Sequence, residues 1–402
     1  MTTTNNRFTP CERVAAMQAS STLAVLQAAD ALRRAGHEVI DLGAGEPDFP
    51  TPDNIKQVAY RAIEENFTRY TPAAGTLEIK QAIIDYFLQE TGTRYEPQEV
   101  VVSAGGKQSI FNAIITLINP GDEVLIAAPY WVTFPEIVIY AGGQPVIIDT
   151  EPNAFQLTAE MVAEHITPKS RLLIINSPSN PSGRVIAPAE FERIVKLAVQ
   201  RGLWVLSDEC YYQFTYPPHQ PFSAASLAPE LRARTLVSGS FSKTYAMTGW
   251  RVGYALAPRE WIAEMVKVQS HSTSNPSSIA QKAAVEAASG SQESVAVMLA
   301  EYQRRRNYLV PALNAIPGIE CIEPEGAFYA FPSIKNVLAA NTEIKTSQAL
   351  AQHLLERAHV VLTAGSAFGS EGYLRISYAT SLATLQRGVE RITGCIKQLL
   401  KQ

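Results

Sequence analysis

A chain of 402 residues, 46% hydrophobic and 18% charged, has an ordinary globular composition and is long enough for roughly two or three domains; it is not a disordered chain. Its formal net charge of −4, with no basic tract, argues against a nucleic-acid partner. The four cysteines, Cys11, Cys210, Cys321 and Cys395, lack CxxC spacing, so neither a disulfide framework nor a metal site is expected, and a reducing compartment fits.

The opening MTTTNNRFTPCERVAAM lacks the apolar centre of a signal peptide, and no apolar run approaches membrane-spanning length. The expectation is a cytoplasmic protein with no membrane partner. Residues 12–35 read as one or two helices and 54–65 as another. From about residue 51 to 254, apolar runs then alternate with helical periodicity. The predicted strands are 100–104, 123–128, 145–149, 171–176, 203–208 and 235–238, with helices at 107–118 and 189–200 between several of them. Continuous apolar strands separated by helices predict an α/β fold, a mostly parallel sheet with helices on both faces.

Beyond this region, 291–316 reads as a long amphipathic helix. Strand-like runs follow at 327–331, 359–363 and 373–377, and a closing helix starts near 383. The predicted division is a large domain over 46–289 and a smaller α/β domain built from 1–45 with 290–402.

Ligands of an open parallel sheet bind at the carboxyl ends of its strands. Those ends carry Gly105-Gly106-Lys107, Pro129-Tyr130-Trp131, Asn180-Pro181-Ser182-Gly183, Asp208-Glu209-Cys210-Tyr211 and Lys243. Gly105-Gly106 opens a predicted helix, where bare N–H groups and the helix dipole suit an anion, although taken alone an ordinary strand-to-helix turn is the favoured reading. Asp208 reads either as a helix cap or as the partner of a protonated heteroaromatic nitrogen. Trp131 reads as core or as a flat surface for a planar ring. Lys243, in a loop of small residues, is either a solvated lysine or a desolvated amine fit for Schiff-base chemistry, with Arg251 as a nearby cation able to grip a phosphate. GAGEPD at 43–48 starts like a dinucleotide fingerprint, but Pro47 and the missing third glycine rule that out.

Taken together, GAGEPDF (43–49), RYTPAAG (69–75), GGKQ (105–108), APYWV (128–132), NSPSNPSG (176–183), SDECY (207–211), SFSK (240–243), MTGWRVGY (247–254), GAFY (326–329) and RISYAT (375–380) resemble the fold-type I, pyridoxal-phosphate-dependent class I aminotransferases, in their aspartate aminotransferase branch. The resemblance runs over nearly the whole chain. It implies that Lys243 bears pyridoxal phosphate through a Schiff base and later shuttles the substrate Cα proton. Asp208 would pair with the ring nitrogen, Tyr211 and Asn180 would bond the ring's phenolic oxygen, and Trp131 would stack on the ring. Gly105, Gly106, Ser240 and Arg251 would bind the phosphate, joined by Tyr70 of a second subunit in a homodimer with shared sites. Arg375 would hold the substrate α-carboxylate, with Gly45 and Asn180 beside it.

The resemblance also implies that Lys107, the lysine of GGKQ, partners the distal carboxylate of an acidic substrate; the alternatives for it are a phosphate neighbour or a solvated first-turn residue. It likewise implies that the hydroxyls within Ala19-Ser20-Ser21-Thr22 are candidate helpers, because the family's N-terminal segment folds over the substrate. The implied reaction is ping-pong amino transfer between aspartate and 2-oxoglutarate. Broader specificity (aromatic, alanine or prephenate), a carbon–sulfur β-lyase and a non-catalytic cofactor-binding regulator are the alternatives. Gln18 stands where relatives that accept prephenate carry lysine, which argues against that substrate. Only some 40 residues precede GAGEPDF, without a basic recognition helix, which argues against the regulator.

Overall fold

Seven strands form the central sheet, in the order Val100–Ser103, Gly253–Leu256, Thr235–Ser240, Trp204–Asp208, Ser170–Asn176, Glu123–Ala128 and Gln144–Asp149. All pairings are parallel except those of Gly253–Leu256, which runs antiparallel to both neighbours. The computed structural model describes residues 8–18 and 21–401.

The apolar runs are continuous because both faces of this sheet are covered. Side chains of a strand alternate between faces. Val100, Val102, Leu125, Leu173, Val205 and Val237 therefore enter one core, packed by Leu77–Thr91, Pro188–Gln200 and Ser278–Ser289. Val101, Val124, Leu172, Ile174, Leu206 and Leu236 enter the other, under Gly106–Leu117, Thr133–Tyr140 and Arg259–Ser272. Burial of each such side chain contributes about 1.5–3 kcal/mol.

The six predicted strands of this sheet are present within a residue or two at their ends. The seventh, Gly253–Leu256, is not anticipated: GYAL is short, and it starts on a glycine that a side chain could not replace. A Cβ at Gly253 would run into the backbone of Gly105 and Gly106. The segment 359–363, expected as one strand, is two short ones, Val360–Val361 and Thr363–Ala364.

Two small sheets use the chain ends. Ile40–Asp41 pairs in parallel with Val360–Val361, and Leu374–Ser377 lies antiparallel between Thr363–Ala364 and Tyr329–Ala330. Arg305, on the long helix Glu293–Asn314, ties the GAGEPDF turn to this part of the chain. Its guanidinium donates to Asp48 at 2.8 Å and to the Tyr378 carbonyl at 3.3 Å. No helix among the described residues is long and apolar enough to cross a membrane.

Between the helices Asp53–Glu64 and Leu77–Thr91 the chain runs without regular structure to Thr76, whose hydroxyl caps the second helix. Gly75 in this stretch has φ +94°, and a Cβ there would lie 2.7 Å from Val102 Cβ. Gly75→Ala therefore meets both a forbidden backbone region and a clash. Its expected cost is about 1–3 kcal/mol, read as a fall in the urea midpoint; an unchanged midpoint would show that the turn relaxes freely.

Candidate active site

Lys243 follows the sheet directly. Ser240, at the end of its strand, accepts from the Ser242 N–H at 3.1 Å and so starts the single turn Phe241–Thr244 that carries the lysine. Its Nζ donates to the Gly45 carbonyl. Burial is the main cause of its lowered pKa; Arg375 and Arg251 act in the same direction, while Cys210 and Glu46 oppose.

Asp208 ends the adjacent strand and is 6% exposed. The Cys210 N–H donates to Oδ1 at 3.1 Å, and no cation among the described residues forms an ion pair with it. Burial pushes its carboxyl up to about 7. Glu209 beside it faces Ser207 and the Ala224 N–H, each at 2.8 Å, and is raised in the same way to about 7. Asn176 locks this edge: its Nδ2 donates to the Asp208 carbonyl at 3.1 Å, and its Oδ1 accepts the Asn180 N–H at 2.8 Å.

Arg375 comes from the small sheet. Nη1 donates to Asn180 Oδ1 at 3.0 Å and Nη2 to the Gly43 carbonyl at 2.7 Å. The guanidinium lies 4.6 Å from the Tyr329 ring centroid and 4.9 Å from that of Phe368. Its buried Nε has no partner among the described residues. Tyr329 in turn shares a 2.8 Å hydroxyl–hydroxyl bond with Tyr211. Lys107 Nζ stands 4.9 Å from the Trp131 ring, its pKa lowered by burial and then by Arg251.

Gly45, Lys107, Trp131, Asn180, Asp208, Tyr211, Lys243 and Arg375 all line one cavity of about 1010 Å³. Gly105, Gly106, Ser240 and Arg251 gather beside it rather than on its wall. A Cβ on Gly106 would lie 3.2 Å from Ser240 Cβ, and one on Gly105 would overlap the Arg251 guanidinium, which bonds the Thr248 carbonyl at 2.8 Å. Tyr70 is not brought to this cavity; it is 93% exposed within the 67–76 stretch. The side chains of residues 19–22, expected to help bind substrate, lie outside the described residues.

Sequence reasoning missed several members of the site. Tyr329 was visible in GAFY but had no assigned role. The Gly43 carbonyl and Phe368 carry no sequence signal, because a carbonyl is common to all residues and an isolated phenylalanine reads as core. Glu136 also lines the cavity and accepts the Gln18 N–H at 2.9 Å. Cys210 lies there too, its thiol pushed by burial up to about 12.

The residues fit pyridoxal phosphate on three counts. A buried carboxyl faces the cavity without a cation, as a protonated ring nitrogen requires. Gly105 and Gly106 leave the start of a 12-residue helix bare next to Arg251, as a phosphate requires. A desolvated amine, Lys243, shares the cavity wall with that carboxyl.

The sequence matches the family model for class I and II aminotransferases over residues 37–392. Curated relatives include the aspartate aminotransferase of Geobacillus stearothermophilus, 44% identical over 382 residues, covering 95% of this chain and 97% of that protein. Another is the aspartate/prephenate aminotransferase of Nitrosomonas europaea, 43% identical over 392 residues, covering 96% and 99%. Among solved structures, an aspartate aminotransferase from Rhizobium meliloti superimposes with TM-score 0.94 at 43% identity, covering 98% of this chain and all of that one. The aspartate aminotransferase of Thermus thermophilus with maleate does so with TM-score 0.91 at 38% identity, covering 97% and 100%.

Because burial raises the Asp208 pKa, the folded chain holds that proton more tightly than the unfolded one. The associated stability is complete below about 4 and is lost as pH rises through about 7. Without pyridoxal phosphate, Tm is expected to fall between pH 5 and 8, and Asp208→Asn to flatten that fall, leaving the similar contribution of Glu209. Parallel Tm profiles for the two proteins would remove Asp208 from this role.

Proposed function

The chain belongs to the class I and II aminotransferases, and from that premise we propose that it is a pyridoxal-phosphate-dependent aspartate:2-oxoglutarate aminotransferase. The observation that carries the substrate assignment is the charge of the cavity wall. Besides Lys243, two cationic side chains line it among the described residues, Arg375 and Lys107. A monocarboxylic amino acid needs one cation, and a dicarboxylic one needs two. The solved Thermus neighbour with maleate, itself a dicarboxylate, supports the same reading.

Bound pyridoxal phosphate supplies the electron sink that makes a substrate Cα proton removable. This chain's residues do the rest. Arg375, clamped between two rings and bonded to Asn180 and Gly43, presents a pre-set planar donor for the α-carboxylate. Asp208 would hold the proton on the ring nitrogen, and its buried site would strengthen that pairing. Tyr211 and Asn180 would serve the phenolic oxygen. Trp131 would pack on the ring, and the bare Gly105–Gly106 helix start, Ser240 and Arg251 would take the phosphate. The Lys243 amine, its pKa lowered by burial, accepts the Cα proton and returns it. One cavity serves amino acid and oxo acid in turn, which gives ping-pong order.

The assembly is read as a homodimer in which Tyr70 of each copy completes the other's phosphate site. Support comes from Tyr60, Ile63, Tyr70 and Leu77, large apolar side chains left exposed within one stretch of chain. Two domains, 46–289 and 1–45 with 290–402, agree with the pairing of Ile40–Asp41 with Val360–Val361. Four free cysteines are in keeping with the cytoplasm. Some relatives are named for prephenate; here Gln18 sits against the Glu136 carboxylate on the cavity wall, a poor setting for a further substrate carboxylate.

Lys243→Ala should lower kcat by about 10²–10⁴ or more while pyridoxal phosphate still binds non-covalently; steady turnover near wild type would overturn the mechanism. Lys107→Ala should weaken aspartate by about tenfold or more, relative to alanine, in single half-reactions. Equal losses for both amino acids would take Lys107 out of substrate selection. Thiol, 2-oxo acid and ammonia released together from a β-thio-substituted amino acid would favour a carbon–sulfur β-lyase instead.

A further inference from the structure

We propose that Gln281 is a positioning residue acting in trans: it fixes the segment 67–76 so that Tyr70 reaches the phosphate site of the partner copy. This rests on the shared-site reading above.

Tyr70 is the most exposed of the large hydrophobic side chains along this segment, yet the chain on either side of it is held by buried groups. Gln281, on Ser278–Ser289, is 1% exposed, and its amide is fully used. Oε1 accepts the Thr76 N–H at 2.9 Å, while Nε2 donates to Thr71 Oγ1 at 3.0 Å and to the Pro276 carbonyl at 2.9 Å. One side chain thus spans the foot of the segment and joins it to the turn that precedes its own helix.

Two further contacts complete the frame. Ser278 donates to the Phe67 carbonyl at 2.8 Å on the other side of Tyr70. Gln269, 0% exposed, donates to the Ala73 carbonyl at 2.6 Å and to the Val102 carbonyl at 2.7 Å. Irregular backbone has no ladder of its own, so side-chain amides supply its order. Buried amides are costly to leave unpaired, so each resists displacement. Between the anchored Phe67 and Thr71 the frame leaves Arg69 and Tyr70 exposed. A segment that served no outside surface would not need four fixed points to present an aromatic side chain to water.

The test uses hybrid dimers. In the Gln281→Leu homodimer the pyridoxal phosphate concentration for half-occupancy should rise about tenfold or more, as expected for losing one hydrogen bond to a charged phosphate. Hydrogen exchange at the Thr76 amide should quicken in the same protein without cofactor. Should Gln281→Leu fold poorly, Thr71→Val removes one strut from the outside and should move affinity in the same direction.

A hybrid of one Gln281→Leu chain with one Lys243→Ala chain should then regain a site of wild-type affinity. That site has its own Lys243 and is served by a partner with an intact frame. If affinity in this hybrid stays as weak as in the Gln281→Leu homodimer, Gln281 acts in its own site and the proposal fails. It also fails if neither Gln281→Leu nor Thr71→Val changes affinity. The same hybrid made with Tyr70→Phe separates the premise: if it too stays weak, the shared-site reading falls, and if it alone recovers, only the role of Gln281 falls.

Discussion

Two ionisable groups at or just past the ends of neighbouring strands, Asp208 buried and Lys243 half-buried, that do not neutralise each other are the constraint around which this molecule is arranged. Lys243 gives its hydrogen bond to a carbonyl, and Asp208 receives its own from a backbone N–H. In a protein interior, unpaired groups of this kind move toward their neutral forms, and both do so here, downward for the lysine and upward for the aspartate. An internal ion pair would have been the more stable arrangement. Its absence leaves an amine and an acid each available to something that enters the cavity.

The surroundings hold this unfavourable pair in place. Asn176 bonds both the Asp208 backbone and the loop carrying Asn180, and Asn180 in turn bonds Arg375. One hydrogen-bonded chain therefore runs from the central sheet to a strand contributed by the C-terminal third. Tyr211 and Tyr329 make a second such bridge, also between the two parts. The Asp208 edge of the central sheet and the Arg375 guanidinium are consequently set relative to one another, not only within their own elements.

Much of this was legible in the sequence because the strand ends are marked by small, polar or charged residues that break apolar runs. Lys243, Asp208, Asn180, Trp131 and Lys107 all follow that grammar, and the structure brings them to one wall. What escaped reading belongs to other kinds of signal. Gly253–Leu256 is a strand of only four residues that opens on a glycine, too short a run to stand out from its surroundings. Phe368 and the Gly43 carbonyl act on Arg375 through folding of remote segments. Gln269 and Gln281 look like solvent-facing helix residues until their burial is seen. Polar residues that satisfy backbone far away leave no periodic trace.

The direction of Gly253–Leu256 has a consequence for which side chains gather at the start of the Gly106–Leu117 helix. A parallel strand delivers to the ligand edge only what comes after it, whereas this reversed strand delivers what comes before. Arg251, two residues ahead of its start, thus arrives at the same rim as Gly105 and Ser240. By turning one strand around, the chain gathers a guanidinium from an upstream turn onto an edge otherwise furnished wholly from downstream loops, with no extra segment crossing the sheet.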